Sequence, residues 1–214
     1  MNEYNHIDKV LERTFITRIQ QLSAPLEPKL TGLSERLVLL KNIRTVVFDV
    51  YGTLFVSGSG DISIANEMSN QQALTGALKS AGFSGNLEDA GAKGVERLLQ
   101  AIQDSHAKRR NQGITYPEVD IRDEWQTVLV SLQQEHLIED EITPESILRV
   151  SVDYECRVNP VWPMPGLQMA LEVLQDRQFL LGIVLNAQFF TLLMFPAFLG
   201  KTHSELGFDP NLCA

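Results

Sequence analysis

Apolar side chains recur at helical spacing in the first 40 residues of the chain. One set ends at Ile19 and predicts a first helix, and a second set, Leu33, Leu37 and Leu40, predicts another. The stretch SAPLEPKLTG between the two sets contains two prolines, which predicts a turn. We therefore expect two packing helices before the first strand.

Two short runs have the composition of buried strands rather than of helices. Residues 45–50 are rich in β-branched and aromatic side chains, and Gly52 follows shortly after them. Residues 180–185 form the second run, between predicted helices over 167–176 and 188–199. Strands that alternate with helices predict an α/β fold with a parallel sheet.

A long polar region separates the two strands. Residues 57–159 carry helical apolar stripes, which consist of Val95, Leu98, Leu99 and Ile102 in one helix and Trp125, Val128, Leu129 and Leu132 in another. Asp120 is a predicted N-cap, and so is Thr143, which Pro144 follows at the first helical position. The region is predicted to be a helical insert. The segment NPVWPMPG, residues 159–166, has three prolines and predicts a stiff linker.

The stretch from 179 to 200 has no charged residue and is long enough to span a bilayer. Gly182, Asn186, Gln188 and Pro196 interrupt it. The interruptions favour a buried strand, turn and short helix over a membrane span. We therefore expect no membrane partner.

Composition limits the classes of function. The chain has 214 residues, of which 44% are hydrophobic, enough for one domain or for a core with an inserted subdomain. A formal charge of -9 is the wrong sign for a surface that neutralises nucleic-acid phosphates. Cys156 and Cys213 lack CxxC spacing, and the N-terminus lacks the apolar core of a secretory signal. The expected location is the cytoplasm, with both thiols reduced.

Asp49 stands at the end of the first predicted strand, where parallel sheets bind ligands. A carboxylate there can act as a nucleophile or bind a metal ion. Gly52 allows a tight turn, and Thr53 can hydrogen-bond and stabilise the loop. The alternative, that Asp49 only caps the turn after the strand, is equally compatible with the pattern.

The segment VVFDVYGTLF, residues 46–55, resembles the first motif of the haloacid dehalogenase-like hydrolase superfamily. The resemblance implies a Rossmann-like core, residues 1–56 with its N-terminal helices and 160–214, and a helical cap over 57–159. It also implies a cap that closes over a small-molecule substrate and a covalent intermediate on an aspartate.

The resemblance implies roles for individual residues. Asp49 corresponds to the nucleophile, and Tyr51, Gly52, Thr53 and Asn186 to residues near the substrate. In the phosphatase members Asp49 and the backbone carbonyl of Tyr51 would bind magnesium. Most phosphatases have an aspartate at the position of Tyr51, and the tyrosine resembles the dehalogenase branch, which needs no cofactor. The alternative, that Tyr51 is a packing residue whose hydroxyl has a partner near the cleft, is equally compatible with the sequence. The implied substrate is a phosphorylated or halogenated small molecule.

The sequence departs from the family pattern at the second motif. Leu185 stands where the family has a hydroxyl residue, and Asn186 after it can either orient a substrate oxygen or serve as a turn residue. The chain also ends before the lysine and the acids of the third and fourth motifs, so that it resembles a C-terminally truncated member. Two interpretations stay open, a hydrolase with impaired activity and a non-catalytic binding protein.

The small number of predicted strands has a consequence for association. With strands only at 45–50 and 180–185, one edge of the first strand should lack a partner. An unpaired apolar strand edge favours pairing with another chain. We therefore expect self-association or a protein partner at this edge.

Overall fold

The protein has a mixed α/β fold with a small parallel sheet. The structure, a computed structural model, describes residues 8–34, 36–58, 67–184 and 188–213. The chain divides into two compact units. One comprises Met1–Leu22 and Ser59–Asn159, and the other comprises Ser23–Gly58 and Pro160–Ala214. We call them the helical unit and the sheet unit.

The described residues of the helical unit form five α-helices. These are α1 (Lys9–Leu22), α2 (Glu67–Ser80), α3 (Leu87–Asn111), α4 (Ile121–Gln134) and α5 (Pro144–Val158). Helix α2 packs against both α3 and α5, and α1 packs against α5. Residues 1–56, predicted to belong to the core as one segment, are divided after Leu22 in the structure.

The predicted stripe on α4 is the centre of the helical unit. Its members Trp125, Val128, Leu129 and Leu132 are each at most 1% exposed, which confirms that they are core residues. The rings of Trp125 and Tyr154 meet edge to face, with their centroids 5.0 Å apart. The stripe on α3 is confirmed for Val95 and Leu98, but Leu99 is 51% exposed.

Local sequence signals set the N-termini of α4 and α5, as predicted. The Asp120 side chain accepts a hydrogen bond from the backbone N–H of Arg122. Thr143 and Ser146 form a capping box, in which each side chain accepts from the other residue's backbone N–H, and Pro144 lies in the first turn.

The sheet unit contains a three-stranded parallel sheet in the order β1–β4–β5. Strand β1 is Thr45–Phe48, β4 is Leu180–Ile183, and β5, which the sequence did not predict, is Phe208–Cys213. The parallel pairing of the first two confirms the predicted α/β class. Within the described residues, β1 pairs on one side only, with β4.

Strands β2 (Phe55–Ser57) and β3 (Val161–Pro163) form a separate antiparallel pair. The prediction of a stiff linker over 159–166 was therefore wrong. A proline cannot donate to a strand ladder, but it is tolerated at the end of an edge strand, which is where Pro163 lies. The Trp162 ring also packs edge to face on Phe198, with centroids 5.4 Å apart.

The uncharged stretch from 179 to 200 contains separate short elements. Strand β4 is followed by a 3-10 turn at Thr191–Leu193 and by α7 at Met194–Leu199, and α6 (Leu167–Asp176) precedes it with the predicted bounds. Among the residues that the structure describes, no helix is long and apolar enough to cross a membrane.

The second predicted N-terminal helix is absent from the described residues between α1 and β1. Leu33, Leu37 and Leu40 are 83%, 89% and 70% exposed, so the predicted apolar face packs on nothing. Most helical stability in proteins comes from packing of such a face, because a short isolated helix is marginal in water. The helical spacing of these three leucines was therefore not enough to predict a helix.

Truncation of the α4 stripe should destabilise the protein strongly. Because Trp125 is 1% exposed, Trp125→Ala should lower the free energy of unfolding by roughly 3 to 5 kcal/mol. Urea titration followed by circular dichroism measures this loss. Leu99→Ala, at a half-exposed position of α3, should cost less than about 1 kcal/mol. Equal losses from the two variants would contradict the assignment of Trp125 to the core.

Helix α5 carries a carboxyl group whose pKa is raised by burial. Glu155 is half-buried, and its Oε1 accepts a hydrogen bond of 3.0 Å from Nδ2 of Asn159. Burial raises the pKa of Glu155 above its ordinary value. The folded protein therefore binds the Glu155 proton more tightly than the unfolded chain does.

Replacing Glu155 should stabilise the protein at pH values above the folded-state pKa of Glu155 and not in acid. Because the pKa of Glu155 is higher in the folded protein than in the unfolded chain, protonation of Glu155 stabilises the folded state. This stabilisation is fully present below the unfolded-state pKa and is lost as the pH rises through the folded-state pKa. Glu155→Gln keeps an acceptor for Asn159 and should gain stability over the wild type across that rise. Urea midpoints at a series of pH values measure the difference. Glu118→Gln, at an exposed position, controls for the loss of one charge and should show no such gain.

Candidate functional site

Asp49 follows the last residue of β1, and its side chain is exposed. The backbone N–H of Val184 donates to the carbonyl of Phe48 at 2.9 Å, so that the strand pairing continues to the ends of β1 and β4. Asp49 therefore lies at the carboxyl end of a parallel strand, the edge of such sheets at which ligands bind.

The chain after Asp49 forms a tight turn held by one carbonyl group. The carbonyl of Val50 accepts from the N–H groups of Thr53 at 3.3 Å, Leu54 at 2.9 Å and Phe55 at 3.0 Å. Gly52, at a φ of +80°, donates its N–H to the carbonyl of Phe55 at 2.7 Å. The buried side chains of Val50 and Leu54 anchor the turn. Asp49 thus stands before a turn that the backbone itself stabilises.

Gly52 and Thr53, predicted to lie near the substrate, are both exposed in this turn. A side chain at position 52 would meet no atom within 4 Å, so the space above Gly52 is open. The positive φ there, rather than crowding, is the reason for the glycine. The turn therefore leaves the side of Gly52 accessible.

The side chain of Tyr51 is half-buried, and its hydroxyl lies 3.0 Å from Oγ1 of Thr191. Thr191 is fully buried at the start of the 3-10 turn that precedes α7. The bond links the loop after β1 to the segment after β4. The sequence analysis missed Thr191, although it is the single hydroxyl residue in the apolar run FFTLLMF, residues 189–195.

Leu185 and Asn186 lie outside the described residues. The expected position of Asn186 beside Asp49 therefore stays a prediction. The neighbouring parallel strands on which that expectation depends are present, because Phe48 of β1 lies opposite Ile183 of β4.

The chemistry of the described site is that of a solvent-accessible oxygen donor. No described side chain donates a hydrogen bond to Asp49, so its carboxylate is available to a substrate or ion. The described residues contain no group of three or more His, Cys, Asp or Glu side chains that could bind a metal ion. Asp49 and the backbone carbonyl of Tyr51 supply oxygen donors of the type that magnesium prefers, and magnesium usually keeps several water ligands.

No protein-family model matches the chain, and no curated protein shows significant sequence similarity to it. The family resemblance of residues 46–55 therefore depends on the motif itself.

Removing the Tyr51 hydroxyl should destabilise the sheet unit. Tyr51→Phe would leave the buried Thr191 hydroxyl without this partner, which should cost about 1 to 3 kcal/mol of unfolding free energy. In a double-mutant cycle with Thr191→Val, the double variant should lose less unfolding free energy than the sum of the two single losses, by about 0.5 to 1.5 kcal/mol. Urea denaturation measures all four proteins. Tyr116→Phe, at a position that is 89% exposed, should change nothing, and strict additivity of the first pair would show that the bond does not form.

Proposed function

We propose that the protein is a hydrolase-like member of the haloacid dehalogenase-like superfamily that acts through an ester on Asp49. The substrate class is a phosphorylated or halogenated small molecule. The observation that carries the proposal is the exposed Asp49 carboxylate at the carboxyl end of β1, in front of a turn ordered by the Val50 carbonyl. A nucleophile in this position can approach a substrate without first breaking a contact with a described side chain.

With a halogenated substrate the reaction has two steps. A carboxylate oxygen of Asp49 attacks the carbon that bears the halogen, and the halide leaves with the bonding electron pair. Water then attacks the carbonyl carbon of the ester. This releases the hydroxylated product and a proton and restores the carboxylate, with one oxygen atom of the water now in Asp49.

Tyr51 favours halide displacement over phosphate-ester hydrolysis. Expulsion of an alcohol from a phosphate ester requires a proton donor, and later a base for water, whereas a halide leaves unprotonated. A phenol, with an ordinary pKa of ~10, is a poor general base at neutral pH. The Tyr51 hydroxyl is also engaged with Thr191. Position 51 therefore suits the halogenated substrate better.

A phosphorylated substrate would call for magnesium. The Asp49 carboxylate and the Tyr51 backbone carbonyl would bind the ion, and water and a phosphate oxygen of the substrate would complete its coordination. The ion would neutralise charge on the phosphoryl group.

We expect turnover to be slow, because Leu185 has no hydroxyl to donate to the transferring group. Loss of one such donor costs about 2.7 to 4 kcal/mol of transition-state stabilisation in comparable sites. The rival function, a binding protein that retains the fold without catalysis, differs in that Asp49 never becomes covalently modified.

Isotope incorporation at Asp49 tests the proposal. The protein is incubated in oxygen-18 water with an α-haloacid or with a phosphate monoester, each with and without magnesium, and peptides are analysed by mass spectrometry. Halide release together with one oxygen-18 atom in the Asp49 peptide is the expected result. Asp49→Asn should abolish both. Asp176→Asn, which removes an exposed carboxylate of α6 in the same unit, should leave both unchanged.

Other outcomes assign the protein differently. Magnesium-dependent release of phosphate, sensitive to Asp49→Asn, would identify the phosphatase branch. Turnover that survives Asp49→Asn would overturn the proposal. Substrate binding measured by calorimetry, without turnover or modification of Asp49, would identify the binding protein.

A further inference from the structure

The helical unit contains a groove between α1 and α5, which Ser80 of α2 also lines. Its volume is about 460 Å³, within the range of sites for small molecules. One face of α1 lines one side, and Arg149, Val152 and Asp153 of α5 line the other. Every lining residue belongs to the helical unit, whereas Asp49 belongs to the sheet unit.

A buried carboxylate organises the inner wall of the groove. Asp153 is 2% exposed, and its two oxygens accept hydrogen bonds of 2.5 Å from Nε of Arg18 and Nε of Arg157. A buried charge needs such pairing, so the two bonds account for Asp153. They use only one nitrogen of each guanidinium group. Within the described part of the chain, Nη2 of Arg18 has no hydrogen-bond partner, and Nη1 makes a long contact of 3.4 Å with Gln21.

The groove has a surplus of positive charge. Arg149 pairs with Glu145, one turn before it on α5. Arg13 lines the groove and makes no ion pair with any described residue. Among the residues that line the groove, three are arginines, Arg13, Arg18 and Arg149, and one is an acid, Asp153. This surplus stands out because the whole chain has a net charge of -9.

The remaining walls combine hydroxyl groups with apolar surface. Thr14 and Thr17 lie beside Arg13 and Arg18 on α1, and Phe15 and Val152 contribute apolar surface. A ligand with an anionic group and an apolar body would match these walls. Guanidinium groups offer several N–H donors in one plane, a geometry that matches phosphate oxygens.

We propose that the groove between α1 and α5 binds a phosphorylated small molecule with an apolar group, its phosphate on Arg13 and Arg18. Structural ion pairs account for Arg157 and Arg149. Among the described residues, however, they leave Arg13 without an ion pair and Nη2 of Arg18 without a hydrogen-bond partner. The groove does not depend on chemistry at Asp49.

Calorimetric titration of the full chain with phenylphosphonate tests the proposal. Phenylphosphonate has a phosphate-like anion and an aromatic ring, and its carbon–phosphorus bond resists hydrolysis. Titrations at constant ionic strength should show binding that inorganic phosphate displaces. Arg13→Gln should weaken binding about tenfold or more, as expected for the loss of a hydrogen bond between charged groups. Arg110→Gln, which removes the same charge from an exposed position of α3, should change binding less than about twofold.

A spectroscopic measurement locates the ligand. In protein with nitrogen-15-labelled arginine, phenylphosphonate should shift the Nε–H signals of Arg13 and Arg18 and leave that of Arg110 unchanged. Asp49→Asn should retain full binding, which separates this site from the proposed nucleophile. Circular dichroism of each variant reports whether it is folded.

Four outcomes would overturn the proposal. The first is no binding at millimolar phenylphosphonate, and the second is equal weakening of binding by Arg13→Gln and Arg110→Gln. The third is loss of binding in Asp49→Asn while Arg13→Gln binds as tightly as the wild type. The fourth is a shift of signals from arginines outside the groove. If the protein sediments with phosphatidylglycerol vesicles but does not bind phenylphosphonate, the arginines would be assigned to the binding of a lipid surface instead.

Discussion

The parallel pairing of β1 with β4 joins segments far apart in the chain, since Phe48 lies opposite Ile183. Parallel strands cannot be joined by a tight turn, so a long crossover must leave the end of β1 and return before β4. Most of the intervening residues belong to the helical unit, together with Met1–Leu22. The same pairing places Asp49 at the edge where both strands end, which makes an otherwise ordinary surface aspartate a candidate nucleophile.

The two ends of the insert are brought together by the short pair β2 and β3. The N–H of Gly58 donates to the carbonyl of Pro160 at 2.7 Å, and a Cβ at position 58 would lie 2.6 Å from the Pro160 ring. Close approach of the two backbones therefore requires glycine. Behind this pair, Phe55 meets Phe195 edge to face, with centroids 5.3 Å apart. The exit and return of the insert are thus attached to the core of the sheet unit.

The candidate site at Asp49 and the groove between α1 and α5 are ordered in different ways. Backbone hydrogen bonds to the Val50 carbonyl and the bond from Tyr51 to Thr191 order the loop, and Asp49 takes no part in them. In the groove, by contrast, both carboxylate oxygens of the buried Asp153 accept hydrogen bonds from arginine side chains. Its pairing with Nε of Arg18 leaves Nη2 of that group without a hydrogen-bond partner among the described residues. One site presents a carboxylate, and the other presents arginine side chains.

The sequence by itself determined the features that depend on near neighbours. The α4 stripe, the caps at Asp120 and Thr143, the bounds of α6 and the strand before Asp49 were all predictable, because periodicity, capping and composition act within a few residues. Tertiary structure decided the rest. Strand β3 pairs with β2, which lies about a hundred residues earlier in the chain, and α1 packs on α5. Among the described residues, Leu33, Leu37 and Leu40 of the expected second helix are exposed. The bond between Tyr51 and Thr191 joins the segments that follow β1 and β4, which pair across a long stretch of sequence. Contacts of this kind depend on the three-dimensional path of the chain, which cannot be predicted from a local sequence pattern.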